Sequence, residues 1–299
     1  MNQRPTLLIT GASGFTGHHA CKHFMEAGFE ITAVTRQNLY NSEKIHLEVC
    51  DLTKKDHVNS LVKKTKPKYL LHLAGQNNVG GSWNDPVSSL EANSMSTAYL
   101  IDALRQENPS CKIIVVGSAL QFDPASMSTL THPYSLSKTL QVLIAQSWVT
   151  LYKMPIVIVK PSNLIGPGFS NGVCSIFAQK IVDMEEQKSE KVLEVYNLKV
   201  QRDFLDVRDA VKAYEILFNN GKPGETYDIT SGVSRTLEEV INGFRSLTAV
   251  DFKVKSEIDK QIENHSSIIP LKLMNLGWKP SIPIETSLRD IINFYRRKV

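Results

Sequence analysis

Tyr134 and Lys138 stand four residues apart in PYSLSK, and Ser118 closes the apolar run KIIVVGS upstream. On a helix, positions i and i+4 share a face, so a phenol and an ammonium would meet there. A lysine cation lowers the pKa of a neighbouring phenol by direct charge. Such a phenol can give its proton to a carbonyl oxygen while the carbon accepts a hydride. A serine hydroxyl at the end of a buried strand can hydrogen-bond the same oxygen and share the developing alkoxide charge. Ser118 is followed by Ala119 and Leu120, neither of which can move a proton. A Tyr-x-x-x-Lys pair alone is usually an ordinary amphipathic helix. Here an upstream serine and a glycine-rich loop accompany it.

That loop is TGASGFTG, which places Gly11, Gly14 and Gly17 between the first apolar run and the first helical stretch. Gly11 permits a sharp turn, Gly14 removes a side chain where a pyrophosphate would approach, and Gly17 lets helix and strand pack closely. The helix start offers free N–H groups and partial positive charge to phosphates, with Ser13, Phe15 and Thr16 lining the same turn. The end of the second apolar run reads VTRQN, with Thr35 where an NAD site usually carries an acid, and then Arg36. An arginine there can hold a 2′-phosphate through charge-assisted hydrogen bonds, so NADP is favoured over NAD. The alternative is a surface arginine.

The elements that must position these groups are legible as short apolar runs at 6–10, 30–35, 69–74, 112–118 and 155–162. They are continuous rather than alternating, the pattern of strands buried on both faces of a parallel sheet. Helical stretches at 15–27, 55–65, 89–106 and 134–153 separate them. Strand–helix repetition implies right-handed crossovers and a doubly wound sheet. The rhythm breaks near 165 at IGPGFSNG. The expectation is a dinucleotide-binding domain over 1–165 and a smaller α/β lobe over 166–299, some segments of which return to the first domain.

Composition narrows the alternatives. The chain has 299 residues, 42% hydrophobic and 21% charged, as in an ordinary globular protein. A net charge of +4, spread out, gives no footprint for nucleic acid. Cys21, Cys50, Cys111 and Cys174 have no metal-ligand spacing and read as reduced thiols of a cytoplasmic protein. No run approaches the roughly 18 apolar residues of a membrane span. No metal site is expected.

Together the glycine loop, CDLT (50–53), LHLAGQ (71–76), Ser118, YSLSK (134–138) and KPSNLIGPG (160–168) resemble the extended short-chain dehydrogenase/reductase family. The resemblance spans essentially the whole chain, including QRDFLDVRDAVKAY and LGWKPSIPIETSLRDII. SNLIGPGFSNG and YNLKVQRDFLDVRD are similar to the nucleotide-sugar 4-ketoreductases of that family. The resemblance implies a Rossmann domain that binds NAD(P) and a C-terminal lobe that takes a nucleotide sugar. It places Asp51 and Leu52 at adenine, Leu73, Ala74 and Gly75 along the cofactor, and Pro161 and Ser162 near the nicotinamide. Tyr134 and Lys138 become cofactor-bound catalytic residues, with Lys138 also holding the nicotinamide ribose. Related 4,6-dehydratases carry acids directly after the serine or threonine, and these move the protons of water elimination. Ala119 and Leu120 stand there instead, so simple ketone reduction is favoured.

On the substrate side the resemblance points to Gln76, Ser82, Trp83, Ser118, Asn163 and Arg202. Arg202 would bind a diphosphate; the competing reading is an ion pair with Asp203 or Asp206. Trp83 is equally readable as a packing residue. Many relatives carry a second arginine before LGWKP, where this chain reads IDKQIENHSSIIPLKL and offers only Lys260. The nucleotide is therefore open among GDP, UDP, dTDP and CDP, with GDP first. The expectation is an NADPH-dependent reductase of a nucleotide-linked 4-keto-6-deoxyhexose, acting as a homodimer. Alternatives are a nucleotide-sugar 4-epimerase retaining NAD, and a noncatalytic NADP-binding relative.

Overall fold

The computed structural model describes residues 4–37, 44–258 and 267–297. Strand β1 (Thr6–Thr10) leads into α1 (Phe15–Glu26), β2 (Glu30–Thr35), β3 (His46–Val49), α2 (Lys55–Thr65) and β4 (Tyr69–His72). Short helices α3 (Val79–Asn84) and α4 (Pro86–Leu90) follow, then a π turn at Glu91–Met95 and α5 (Ser96–Glu107). Next come β5 (Lys112–Val116), α6 (Pro133–Tyr152) and β6 (Ile156–Pro161). The rest comprises β7 (Asn163–Ile165), α7 (Val173–Glu185), β8 (Val192–Asn197), β9 (Gln201–Asp206), α8 (Val207–Asn220) and β10 (Thr226–Ile229). It ends with β11 (Ser234–Thr236), α9 (Leu237–Arg245), β12 (Lys253–Ile258), α10 (Leu271–Met274) and α11 (Ile284–Arg296).

A seven-stranded sheet runs β10-β6-β5-β4-β1-β2-β3. Its β1–β2, β2–β3, β1–β4, β4–β5 and β5–β6 pairs are parallel. The chain leaves β1 towards β2 and β3, then returns to the other side of β1 for β4, β5 and β6. This is the reversal of a doubly wound Rossmann sheet, and ligands bind beyond the carboxyl ends of strands at such a point. Leu7–Ile9 and Leu70–Leu71 are buried, as the unbroken apolar runs require.

The chain divides into two compact units, one of Met1–Pro161 with Val211–Tyr227 and one of Ser162–Ala210 with Asp228–Val299. The first runs to Pro161 and takes back 211–227. Its core includes Leu8, Leu70, Ile101, Ile113 and Ile156. Phe218 of the returning segment packs edge-on against Phe24 and Tyr69, with centroids 5.8 and 5.1 Å apart. In the second unit β9 pairs antiparallel with β11 and parallel with β7, and β12 pairs parallel with β8. Phe177, Ile181, Phe204, Phe244 and Ile291 fill its core.

One expectation is corrected. The helix foreseen over 89–106 is interrupted by the π turn, because Asn93 is drawn into the polar interior described below. Among the described residues no helix is long and apolar enough to cross a membrane, and no group of three or more His, Cys, Asp or Glu is placed to hold a metal.

Candidate active site

The phosphate loop is built from steric need. Gly11 has φ +68°, and a Cβ there would lie 2.8 Å from the Ala74 nitrogen. A Cβ on Gly17 would collide with the Gly11 carbonyl oxygen and Ala12, so this glycine sets the strand–helix approach. Gly14 is the N-cap of α1, without a side-chain cap and with no acid in the first turn. The first N–H groups of the helix are therefore open to an anion, with no competing carboxylate. Arg36 is exposed just beyond β2. Thr35 is buried, and its hydroxyl donates to the Gln37 carbonyl at 2.6 Å. It shapes the turn that presents Arg36. Asp51 accepts from the Thr53 backbone N–H (3.0 Å) and hydroxyl (2.7 Å), and the Thr53 hydroxyl bond holds its carboxyl below the usual range. Leu52 beside it is buried. The N–H of Leu73 donates to the Thr10 carbonyl at 3.3 Å, and that of Ala74 to the Thr10 hydroxyl at 3.2 Å. The glycine turn and the uncapped start of α1 fit a dinucleotide phosphate.

Ser118, Tyr134 and Lys138 come together beyond the end of β5. The phenol is buried, which pushes its pKa up, while a hydrogen bond with Ser118 pulls in the opposite direction. Lys138 donates to the Val116 carbonyl at 2.7 Å, and burial lowers its pKa to about 7. The expected direct pull of Lys138 on the phenol is not among the causes of the Tyr134 shift, because the ammonium is turned to Val116. The Ser118 hydroxyl also accepts from the Leu120 N–H at 3.1 Å. Gln121 donates to the Lys138 carbonyl (3.1 Å), and the Phe122 N–H donates to Thr139 (3.1 Å). The strand-end loop is thereby pinned to α6, with Ala119 and Leu120 exposed.

Several supporting residues were not foreseen. Asn93, buried in the π turn, accepts from the Gln76 N–H (2.8 Å) and donates to the Gln76 carbonyl (3.0 Å) and Ser137 (2.8 Å). Ser137 in turn donates to the Tyr134 carbonyl at 2.9 Å. A Cβ on Gly75 would strike the Asn93 amide oxygen, so the glycine admits this clamp. Behind it Thr97 donates to the Asn93 carbonyl (2.7 Å) and accepts from Gln141 (3.0 Å). His72 Nε2 then donates to Thr97 (2.8 Å), leaving Nδ1 to accept from Thr10 (2.7 Å). Burial, with Lys138 nearby, lowers the His72 pKa to about 3 and keeps the ring neutral. The visible signal was the polar run NSMST inside an otherwise amphipathic helix. His132 caps α6: its Nδ1 accepts from the Ser135 N–H at 2.9 Å, and its ring lies 5.9 Å from that of Tyr134.

Two expected substrate contacts separate. Ser82 is fully buried, donating to the Val79 carbonyl (2.6 Å) and accepting from the Tyr134 N–H (3.1 Å). Its hydroxyl holds the first turn of α6 in place and is not turned to substrate as expected. Trp83 is 63% exposed. The Gln76 side chain accepts from Ser89. Pro161 ends β6 in the first unit. Ser162, Asn163 and Arg202 belong to the second unit. The Ser162 N–H donates to the Ile229 carbonyl (3.0 Å), and Asn163 donates to the Asp203 carbonyl (3.0 Å). Arg202 donates to the Gln201 carbonyl at 2.8 Å. Asp206 pairs with Arg208 at 2.8 Å, and Asp203 caps the 231–232 turn. Lys260 lies outside the described residues.

Residues 7–230 match the model of the NAD dependent epimerase/dehydratase family. The chain belongs to that family. It is an NAD(P)-dependent oxidoreductase. It is 27% identical to a GDP-6-deoxy-D-mannose reductase of Pseudomonas aeruginosa, over 100% of this chain and 99% of that one. The structure of RMD from Pseudomonas aeruginosa complexed with NADPH superposes with a TM-score of 0.83 at 26% identity, covering 99% of this chain and 100% of that one. A Thermus thermophilus UDP-glucose 4-epimerase with NAD matches at TM-score 0.84 and 21% identity, covering 98% of this chain and 100% of that one, a likeness of fold.

Proposed function

We propose that the protein reduces the 4-keto group of a nucleotide-linked 4-keto-6-deoxyhexose, with NADPH preferred and a GDP sugar as the first candidate. The observation that carries this reading is the Ser118 side chain beside the buried Tyr134 phenol, followed by Ala119 and Leu120 where a carboxylate would be needed to eliminate water. A bound reduced nicotinamide supplies the hydride. The Tyr134 phenol, kept protonated by burial, gives its proton to the ketone oxygen, and the Ser118 hydroxyl holds that oxygen in place. Lys138, turned to the Val116 carbonyl, is the candidate donor for the ribose. Phosphates would rest on the uncapped start of α1, with Arg36 taking the 2′-phosphate and Asp51 and Leu52 flanking adenine. In the second unit Asn163 and Arg202 are the candidate holders of the substrate's phosphates. The identity to the Pseudomonas reductase supports both the reaction and the cofactor.

A homodimer is part of this reading. Leu136, Leu140, Leu143 and Leu151 form a stripe along α6, with Leu143 39% and Leu151 68% exposed. Such a face suits a second copy of the helix.

The test is NADPH oxidation against 4-keto-6-deoxy sugars on GDP, UDP, dTDP and CDP, each generated by its own dehydratase. Stoichiometric oxidation with one of them establishes the reductase and its nucleotide. No oxidation across the panel, with NAD released from the denatured protein, replaces this reading with a 4-epimerase.

A further inference from the structure

In the antiparallel pairing of β9 with β11, Arg202 stands directly opposite Arg235. Residues so placed project on the same face, with Cβ atoms roughly 5 Å apart, and like charges there destabilise the sheet. Both arginines are half-buried, so water screens them incompletely. The neighbouring acids do not offset Arg235. Asp203 alternates to the other face, where it accepts from the Ser231 N–H, the Ser231 hydroxyl and the Gly232 N–H, each at 2.9 Å. Glu239 closes the capping box on Thr236, and Glu238 pairs with Lys199. Arg235 has no ion pair or hydrogen bond among the described residues.

Two arginines held opposite each other by a strand register, Arg235 without a partner among the described residues, suit an anion that spans them. A diphosphate is such an anion: it carries oxygens on two adjacent phosphorus atoms, and arginine binds such oxygens in a fork. We infer that Arg235 is the second cation of a diphosphate clamp with Arg202, on the β9–β11 ribbon of the second unit. This deepens the nucleotide-sugar reading and rests on it. It also supplies the second arginine missing from the stretch before LGWKP, from a different strand.

The experiment is calorimetric titration of the full-length protein, saturated with NADP⁺ so that the phosphate loop is filled, with GDP, UDP, dTDP and CDP and with the corresponding monophosphates. The tightest diphosphate is then titrated into Arg235→Met and Arg235→Lys. Arg235→Met is expected to weaken diphosphate binding by about tenfold to a hundredfold, and monophosphate binding much less. Arg235→Lys keeps the charge without the fork and falls between. Because the substitution relieves like-charge repulsion, the unliganded Met variant should melt no lower than the wild type. Equal diphosphate affinity in Arg235→Met and wild type overturns the clamp, and so does failure of every diphosphate to bind the wild type. The keto-sugar panel separates the two ideas. NADPH oxidation with unchanged affinity in Arg235→Met removes the clamp alone. Weakened diphosphate binding without oxidation of NADPH by any sugar removes the reductase alone.

Discussion

Lys138 is asked to be charged for catalysis and is placed where charge is disfavoured. Burial brings its pKa from 10.5 to about 7. Between those values the unfolded chain binds a proton that the folded chain lacks, so this residue's contribution to stability rises with pH through the window. Below about pH 7 both states are protonated, and the full penalty of a buried ammonium remains. Lys138→Met should therefore raise the thermal midpoint at pH 7, with the gain over wild type shrinking towards pH 10. A gain independent of pH would mean the ammonium is solvated in the folded state. Tyr134→Phe makes a separate demand. It should lower kcat by about a thousandfold or more while leaving NADPH affinity near that of the wild type, since it removes only the transferred proton. Full activity in that variant would sink the mechanism.

At the scale of elements, the site depends on a helix that is deliberately irregular. π turns concentrate at functional sites because the extra residue redirects a side chain. Here the turn carries Asn93 into contact with both Gln76 and Ser137. Asn93→Ala would leave these buried partners unsatisfied, at about 3 kcal/mol. The thermal midpoint should fall by several degrees, and kcat should fall because the Ser137–Tyr134 link loosens. An unchanged midpoint would show that water or a relaxed turn replaces the amide. The sequence revealed the regular part of this design: continuous apolar runs marked β1, β4, β5 and β6, and glycine spacing marked the turn before α1. It concealed the π turn, because the polar run NSMST marks buried polar side chains without showing that the helix widens there. It likewise misassigned Ser82, whose hydroxyl is consumed by Val79 and Tyr134, since a motif position does not say which way a small side chain faces. The Arg202–Arg235 pairing was invisible for another reason: cross-strand neighbours separated by a long connection share no local pattern.

Two consequences belong to the whole molecule. If the leucine stripe of α6 seats a second copy, Leu143→Glu with Leu151→Glu should halve the mass measured by light scattering without lowering helix content. A wild type that is monomeric at micromolar concentration would refute the dimer. The other concerns where the chain can be cut. A break after residue 165 looks natural on the linear map, yet 211–227 belongs to the first unit and buries Tyr214, Leu217 and Phe218 there. Burying each such side chain contributes about 1.5–3 kcal/mol, so losing three removes an amount comparable to the 5–15 kcal/mol of a whole domain. The His23–Glu215 pair at 2.6 Å and the Lys112 donation to the Phe218 carbonyl at 3.3 Å are lost with them. A fragment of residues 1–165 should therefore lack a cooperative thermal transition. The same fragment with 211–227 rejoined through a flexible linker should regain one, together with binding of NADP⁺. A sharp transition in the bare fragment would mean that the sheet closes its core without α8.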